Sequence, residues 1–283
     1  MPLSLMYITN NPQVAAIAQN VGVDRIFIDM EYIGKEKRQA GMNTVKSHHT
    51  YRDIENISAV TKLGASQLLV RVNPIHDSSK HYCSSKEEIE TAISCGAEII
   101  MLPMFKSCDE VEKFLNIASG KVKTMLLLET KEAAEKIDDI ISLGGFDELH
   151  IGLNDLHLAY GRKFMFELLV DGTVDRLANK FNSNNIRFGF GGIARIGYGM
   201  LPAEYIIAEH YRLNSKAAIL SRSFCDADRV ENAETLYPIF NEGISNIRSF
   251  EKKVSNFTSD DYHNNHQTVV SIVEKIVGGL HGK

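Results

Sequence analysis

Short β-rich runs alternate with amphipathic runs of helical length along most of this chain, and that alternation limits its folds more than any other feature. Strand-like runs fall at residues 3–9, 25–30, 67–73, 98–103, 123–129, 148–151, 186–190 and 216–221. Helix-like runs lie between them at 12–21, 51–63, 86–94, 108–118, 131–143, 165–181 and 203–213. Strand–helix alternation implies parallel pairing with right-handed crossovers. Runs such as MLLLE at 125–129 are apolar at successive positions, as strands covered on both faces must be. Eight such units suit a closed α/β barrel, a (β/α)8 TIM barrel. An open doubly wound sheet usually carries a glycine-rich turn after its first strand. Here that strand ends Ile8-Thr9-Asn10-Asn11.

The barrel accounts for residues 1–222. From 223 to 283 the strand signal ends, and helical runs at 233–257 and 269–277 flank a polar break at 258–267. We expect a helical C-terminal extension, with the break as a hinge that lets the last helix pack on a neighbouring subunit of a homo-oligomer.

Composition narrows the function. The 31 basic and 36 acidic side chains leave a net charge of −5. Duplex binding needs clustered Lys and Arg, and the densest basic run, Lys35-Glu36-Lys37-Arg38, is broken by an acid. No nucleic-acid partner is expected. Cys83, Cys95, Cys108 and Cys225 are scattered and form no CxxC pair, so free thiols are expected rather than disulfides or a zinc knuckle. No run approaches the roughly 18 apolar residues that span a membrane, and the N-terminus lacks a basic, then apolar leader. The expected setting is the cytoplasm, with no membrane partner.

In a barrel of this kind the reactive groups sit at the C-terminal ends of the strands. The polar residues there are Asp29 and Glu31, Arg71 and Asn73, Glu129, the run Gly152-Leu153-Asn154-Asp155, and Ser221-Arg222-Ser223. Glu129 closes an apolar strand, either as an ion-pair partner or as a metal ligand or base. Asp155 follows on the next strand, after a glycine that permits close backbone approach, and also suits an N-cap. Carboxylates on neighbouring strands, about 5 Å apart, can share a hard cation such as Mg2+ or Mn2+. Arg71 lies in the apolar run QLLVRV; its partner is either Asp29 or Glu129, or a substrate carboxylate or enolate.

These residues, in the order RIFIDME at 25–31, VRVNP at 70–74, GAEIIMLPM at 96–104, LET at 128–130 and IGLNDL at 151–156, resemble the metal-dependent pyruvate (hydroxy-keto-acid) aldolases and the related citrate lyase β-subunits. Both belong to the phosphoenolpyruvate/pyruvate-binding barrels. The resemblance spans residues 1–161. It implies Glu129 and Asp155 as ligands of a divalent metal, Mg2+ or Mn2+, and Arg71 as the group facing the enolate oxygen. It implies that the backbone around Gly152, Asn154 and Asp155 holds the keto-acid carboxylate, with Asp29 and Glu31 supporting the site. The implied reaction joins or cleaves a carbon–carbon bond between a pyruvate-type enolate and an aldehyde.

The chain departs from the family pattern in three places. Tyr32 stands where the aldolases carry a proton-shuttling His, and a phenol with a pKa of about 10 is a poorer base; His48 or His49 in the next loop is the expected substitute. Leu127 stands where a Gln is usual. VRVNP leans toward the citrate lyases, yet the second strand-two acid expected there is missing. A citrate-lyase-type acyl-CoA lyase and a catalytically altered barrel serving as a binding protein are therefore the alternative readings. The glycine-rich stretch at 189–199 is either a flexible loop that needs its glycines for turns or, with Arg195 and Arg222, a site for an anionic co-substrate such as coenzyme A or a phosphorylated compound. His210 and Arg212, on the seventh helix, are expected to be structural or at a subunit contact.

Overall fold

The computed structural model describes residues 1–34, 49–227 and 233–280. The basic run at 35–38 and His48 lie outside the described residues. Nine strands form one parallel sheet: β1 (Ser4–Ile8), β2 (Arg25–Asp29), β3 (Gln67–Arg71), β4 (Ile99–Leu102), β5 (Lys123–Leu128), β6 (Glu148–Ile151), β7 (Arg187–Phe190), β8 (Gly192–Ile193) and β9 (Ala217–Leu220). Their order is β7-β6-β5-β4-β3-β2-β1-β9-β8. The additional strand arises because the expected seventh is extended and cut in two. β7 and β8 are separated only by Gly191, whose φ of +51° turns the chain, and β8 then pairs with β9. The backbone N–H of Lys216 also donates to the Phe188 carbonyl at 2.7 Å, tying β7 to the far edge. The architecture is an α/β barrel of TIM type with C-terminal helices.

The helices begin where the sequence supplies caps. α1 (Pro12–Asn20) is capped by Asn11. Thr50 and Asp53 form a reciprocal capping box at the start of α2 (Tyr51–Thr61). Ser84 and Glu87 do so for α3 (Ser85–Ser94), and Ser107 and Glu110 for α4 (Cys108–Ala118). Each box satisfies two otherwise unpaired end groups. Two runs expected as single helices are divided. Residues 131–143 form α5 (Lys131–Glu135) and α6 (Ile137–Leu143), with Lys136 at the joint. After α7 (Leu153–Ala159), the run 165–181 gives α8 (Glu167–Val170) and α9 (Thr173–Ser183), broken at Gly172 with φ +81°.

After α10 (Ala203–Arg212), the extension consists of α11 (Ala233–Val254) and α12 (Ser259–Leu280). The polar stretch 258–267, expected as a break, is almost all helix. Thr258 and Asp261 cap it reciprocally, so the turn between α11 and α12 is short. Both helices pack on the barrel of the same chain. On α11, Glu251 accepts the Leu3 N–H at 2.7 Å, and Arg248 donates to the Leu3 carbonyl and to Asp24. On α12, Val269 and Val273 are buried, and the polar face docks on one carboxylate of α10. That carboxylate, Glu209, is fully buried. It accepts from Arg212 Nε at 2.8 Å, Arg212 Nη2 at 2.6 Å, His266 Nδ1 at 3.1 Å and Asn265 Nδ2 at 3.0 Å. His210, fully buried, stacks on Phe190 with ring centroids 3.7 Å apart.

Removing one member of a buried ionic cluster leaves the others desolvated and uncompensated. Glu209→Ala should therefore cost about 3–5 kcal/mol. Thermal denaturation followed by circular dichroism should show Tm falling by about 6–20 °C, at roughly 2–4 °C per kcal/mol for chains of this size. An unchanged Tm would show that α12 docks through its apolar face alone.

Candidate active site

Alternate residues of every strand point into the barrel, and this parity sorts the interior into layers. At the N-terminal end, Arg25 on β2 makes a bidentate pair with Glu148 on β6 (2.9 and 2.5 Å), and Arg187 on β7 approaches the same carboxylate at 3.4 Å. The middle is apolar: Met6, Phe27, Leu69, Ile99, Met101, Met125, Leu127 and Ala217 form one buried cluster. Two residues beyond Phe27, Leu69 and Leu127, the same parity brings Asp29, Arg71 and Glu129 to the C-terminal end.

Asp29 and Arg71 are register partners on β2 and β3. Arg71 Nε donates to Asp29 Oδ1 and Nη2 to Oδ2, both at 2.9 Å, while Nη1 lies 3.3 Å from Glu31 Oε2. Burial opposes the charge on Arg71, but Asp29, Glu31 and Glu129 outweigh it and raise its pKa above the ordinary value. The fork has five N–H groups, so this clamp fixes the guanidinium plane and leaves donors for an anion. Behind it, Asn73 accepts the N–H groups of Tyr32 and Ile33, both at 2.9 Å, and donates to Glu88 at 2.7 Å. That rivet holds the segment after β2 against β3.

Glu129 is 3% exposed and accepts the Met104 N–H at 3.1 Å. Met104 has φ +56°, a conformation uncommon outside glycine, and the strained turn aims this amide at the carboxylate. On the other side lies Gly152. A Cβ there would stand 2.9 Å from both Glu129 Cβ and Oε2, so only glycine lets β6 approach so closely. Asp155 follows in the first turn of α7, a helix with no side-chain cap.

His49 accepts the Asp29 backbone N–H at Nδ1, at 3.0 Å. An N–H can only donate, so Nδ1 holds a lone pair and the neutral ring carries its proton on Nε2. Tyr32, by contrast, is 48% exposed and packs edge-on against Tyr82. Burial, with Glu88 next, raises its pKa further.

A cavity of about 680 Å³ opens at this end of the barrel. Asp29, His49, Arg71, Glu129, Gly152, Asn154 and Asp155 all line it; Glu31 stands behind Asp29, and Tyr32 is not part of the lining. Arg222 lines it and Arg195 does not; Arg195 instead lies over the Tyr198 ring, 4.4 Å from its centroid. Among the described residues of the lining, the acidic side chains are Asp29, Glu129, Asp155 and Asp226 and the arginines are Arg71 and Arg222. Among the described residues, no group of three or more His, Cys, Asp or Glu forms a ready-made metal cage. No described helix is long and apolar enough to cross a membrane.

Sequence reasoning passed over His150. It occupies the inward position between Glu148 and Gly152, where strand parity alone places it on the cavity floor. Its Nε2 lies 3.2 Å from the Gly191 carbonyl, and its Nδ1 is buried without a hydrogen-bond partner. The aromatic segment Phe164–Phe166 was also passed over as part of the site, because nothing in its own sequence marks it as a cavity wall.

The sequence profile of the HpcH/HpaI aldolase/citrate lyase family matches residues 3–165. No curated protein matches the sequence. Solved structures of similar fold include an HpcH/HpaI aldolase from Desulfitobacterium hafniense DCB-2, at TM-score 0.60 and 14% identity, covering 91% of this chain and 95% of that one. A HpcH/HpaI aldolase/citrate lyase family protein from Burkholderia cenocepacia J2315 has TM-score 0.61 at 14% identity, covering 84% and 94%. Macrophomate synthase has TM-score 0.54 at 16% identity, covering 78% and 77%.

Burial pushes the His150 pKa down to about 4 and holds that of His210 well below its ordinary value. Between about pH 4 and 6.5 the unfolded chain binds a proton at each that the folded chain does not, so stability falls as pH falls. His150 accounts for about 3 kcal/mol of that loss. Urea denaturation near pH 7 and near pH 5 should show a shallower acid loss for His150→Asn than for the unaltered chain. An equal loss in both would show that His150 does not remain neutral in the folded state.

Proposed function

The chain belongs to the HpcH/HpaI aldolase/citrate lyase family, and from that membership we propose a divalent-metal-dependent aldolase that makes or breaks a carbon–carbon bond between a pyruvate-type enolate and a carbonyl compound. The carrying observation is that Glu129, Asp155 and Arg71, from three different strand ends, line one cavity.

The residues present fit a cation of the Mg2+ or Mn2+ class. Such ions take oxygen donors, keep several waters and are commonly held by one or two carboxylates plus substrate oxygens. Glu129 and Asp155 supply that set, with no thiolate beside them. A bound divalent cation would polarise the keto oxygen as a Lewis acid.

The chain's own groups do the rest. Arg71, its plane fixed by Asp29 and Glu31, directs its remaining N–H groups at the oxygen that gains charge on enolisation, without reorganising at that moment. Backbone N–H groups at the start of α7, around Asn154 and Asp155, receive the keto-acid carboxylate. In the condensing direction the pyruvate methyl carbon gives a proton to solvent water in the open cavity, the enolate so formed attacks the carbonyl carbon of the second substrate as its C=O π bond opens, and the resulting alkoxide takes up a proton. His49 Nε2 holds the proton for that oxygen. Electrons balance without a redox partner.

The test is exchange of pyruvate methyl protons in deuterated water with added Mn2+, read by NMR. Exchange should be metal-dependent. Glu129→Gln and Asp155→Asn should lower it by more than the roughly 10–100-fold that loss of an outer-shell partner costs. Exchange that persists at full rate in both variants with a chelator present would refute the reading.

A further inference from the structure

We infer that the second substrate is a carbonyl compound with an apolar body, an aliphatic or aromatic aldehyde or ketone, and not a polyhydroxylated one. The inference rests on the aldolase reading above and concerns the part of the cavity that the keto acid leaves open. The cavity, at about 680 Å³, falls in the roughly 300–1,000 Å³ range that encloses drug-sized ligands. A three-carbon keto acid held at Arg71, Glu129 and Asp155 fills a small part of it.

One side of the remaining wall is apolar. The segments after β6 and β8 bring Phe164, Phe166, Met200, Leu201 and Ile206 to the cavity. Phe164 and Phe166 form an edge-to-face pair with centroids 5.3 Å apart. Polar side chains line the other side, Thr9 and Asn10 after β1 and Ser221, Arg222, Ser223 and Asp226 after β9. A sugar-like chain laid on the aromatic wall would leave its hydroxyls without partners after losing their water. An alkyl or aryl chain there gains about three- to fourfold in affinity for each methylene buried.

Met200 provides the second observation. It is 64% exposed, a costly position for a large apolar side chain at a cavity rim. The loop that carries it is built rather than slack. Tyr198 N–H donates to the Arg195 carbonyl at 2.9 Å, Arg195 stacks on Tyr198, and Gly197 N–H donates to Glu204 at 2.9 Å. Gly199, with φ +99°, turns the chain beside Ala194 and sets Met200 at the mouth. A ligand with an apolar body covers that side chain on binding.

The experiment compares hexanal and benzaldehyde with glyceraldehyde as acceptors for pyruvate in the presence of Mn2+, using the full chain. Binding of each aldehyde is measured in parallel by saturation-transfer NMR, which needs no turnover. The expected result is a preference of at least tenfold for hexanal and benzaldehyde, in kcat/KM and in affinity. Met200→Glu, at an exposed position that the fold tolerates, should reduce that preference by about tenfold. Glyceraldehyde used or bound as well as hexanal would overturn the inference while pyruvate proton exchange still upheld the aldolase reading. Loss of exchange would refute that reading, and the binding comparison would still decide the apolar preference. A Met200→Glu chain with unchanged preference but altered sedimentation would overturn the inference and assign this rim to contact with a second copy.

Discussion

Everything in this molecule hangs on the two-residue period of a strand inside a closed parallel barrel. Each inward position shares its strand with another two residues above and two below. On β2 these positions are Arg25, Phe27 and Asp29; on β6 they are Glu148, His150 and, just past the strand, Gly152. A buried ion pair at one end, a packed apolar layer in the middle and a charged layer at the other end are thus parts of one pattern. A one-residue slip of β2 would turn Asp29 outward and bring Ile28 or Met30 into the site, so register is tied down on both sides of it.

The two charged layers are built differently. At the N-terminal end, Glu148 is shared by Arg25 and Arg187, and its pKa is held low despite burial. At the C-terminal end the excess is acidic: Asp29, Glu31 and Glu129 all act on Arg71. The clamp on Arg71 and the Met104 amide on Glu129 hold these groups in place.

How much of this was legible in the sequence follows from what each signal depends on. Strand positions were readable because burial on both faces leaves continuous apolar runs. The charged layer at the C-terminal strand ends was readable because a charge at the end of such a run is desolvated and must be paired or put to use. Glu129 and Arg71 are of that type. The split of the seventh strand was not readable, since Gly191 marks a turn only once its positive φ is known. The helical nature of 258–267 was hidden for another reason. Its Asn265 and His266 look like loop residues until Glu209, more than fifty positions earlier, is seen to satisfy them. Tyr32 drew attention by its place next to Glu31, yet adjacent residues leave a strand end in different directions. His49, farther along the chain, reaches the cavity instead.

The two C-terminal helices bear on the site most directly through α10. This helix turns Ile206 toward the cavity and, three residues later, Glu209 toward α12. Residues three apart lie on neighbouring parts of a helix surface, so the helix that forms the apolar wall is also the one clasped by Asn265 and His266. Undocking α12 would take Asn265 and His266 away from Glu209 and would free α10 to shift against β8. Chain that lies outside the barrel thereby stiffens one wall of a cavity inside it. A rigid wall discriminates between ligands better than a yielding one, because a poorly matched ligand cannot recover its lost contacts by repacking. α12 thus supports one wall of the cavity from outside, although no described residue of α11 or α12 lines it.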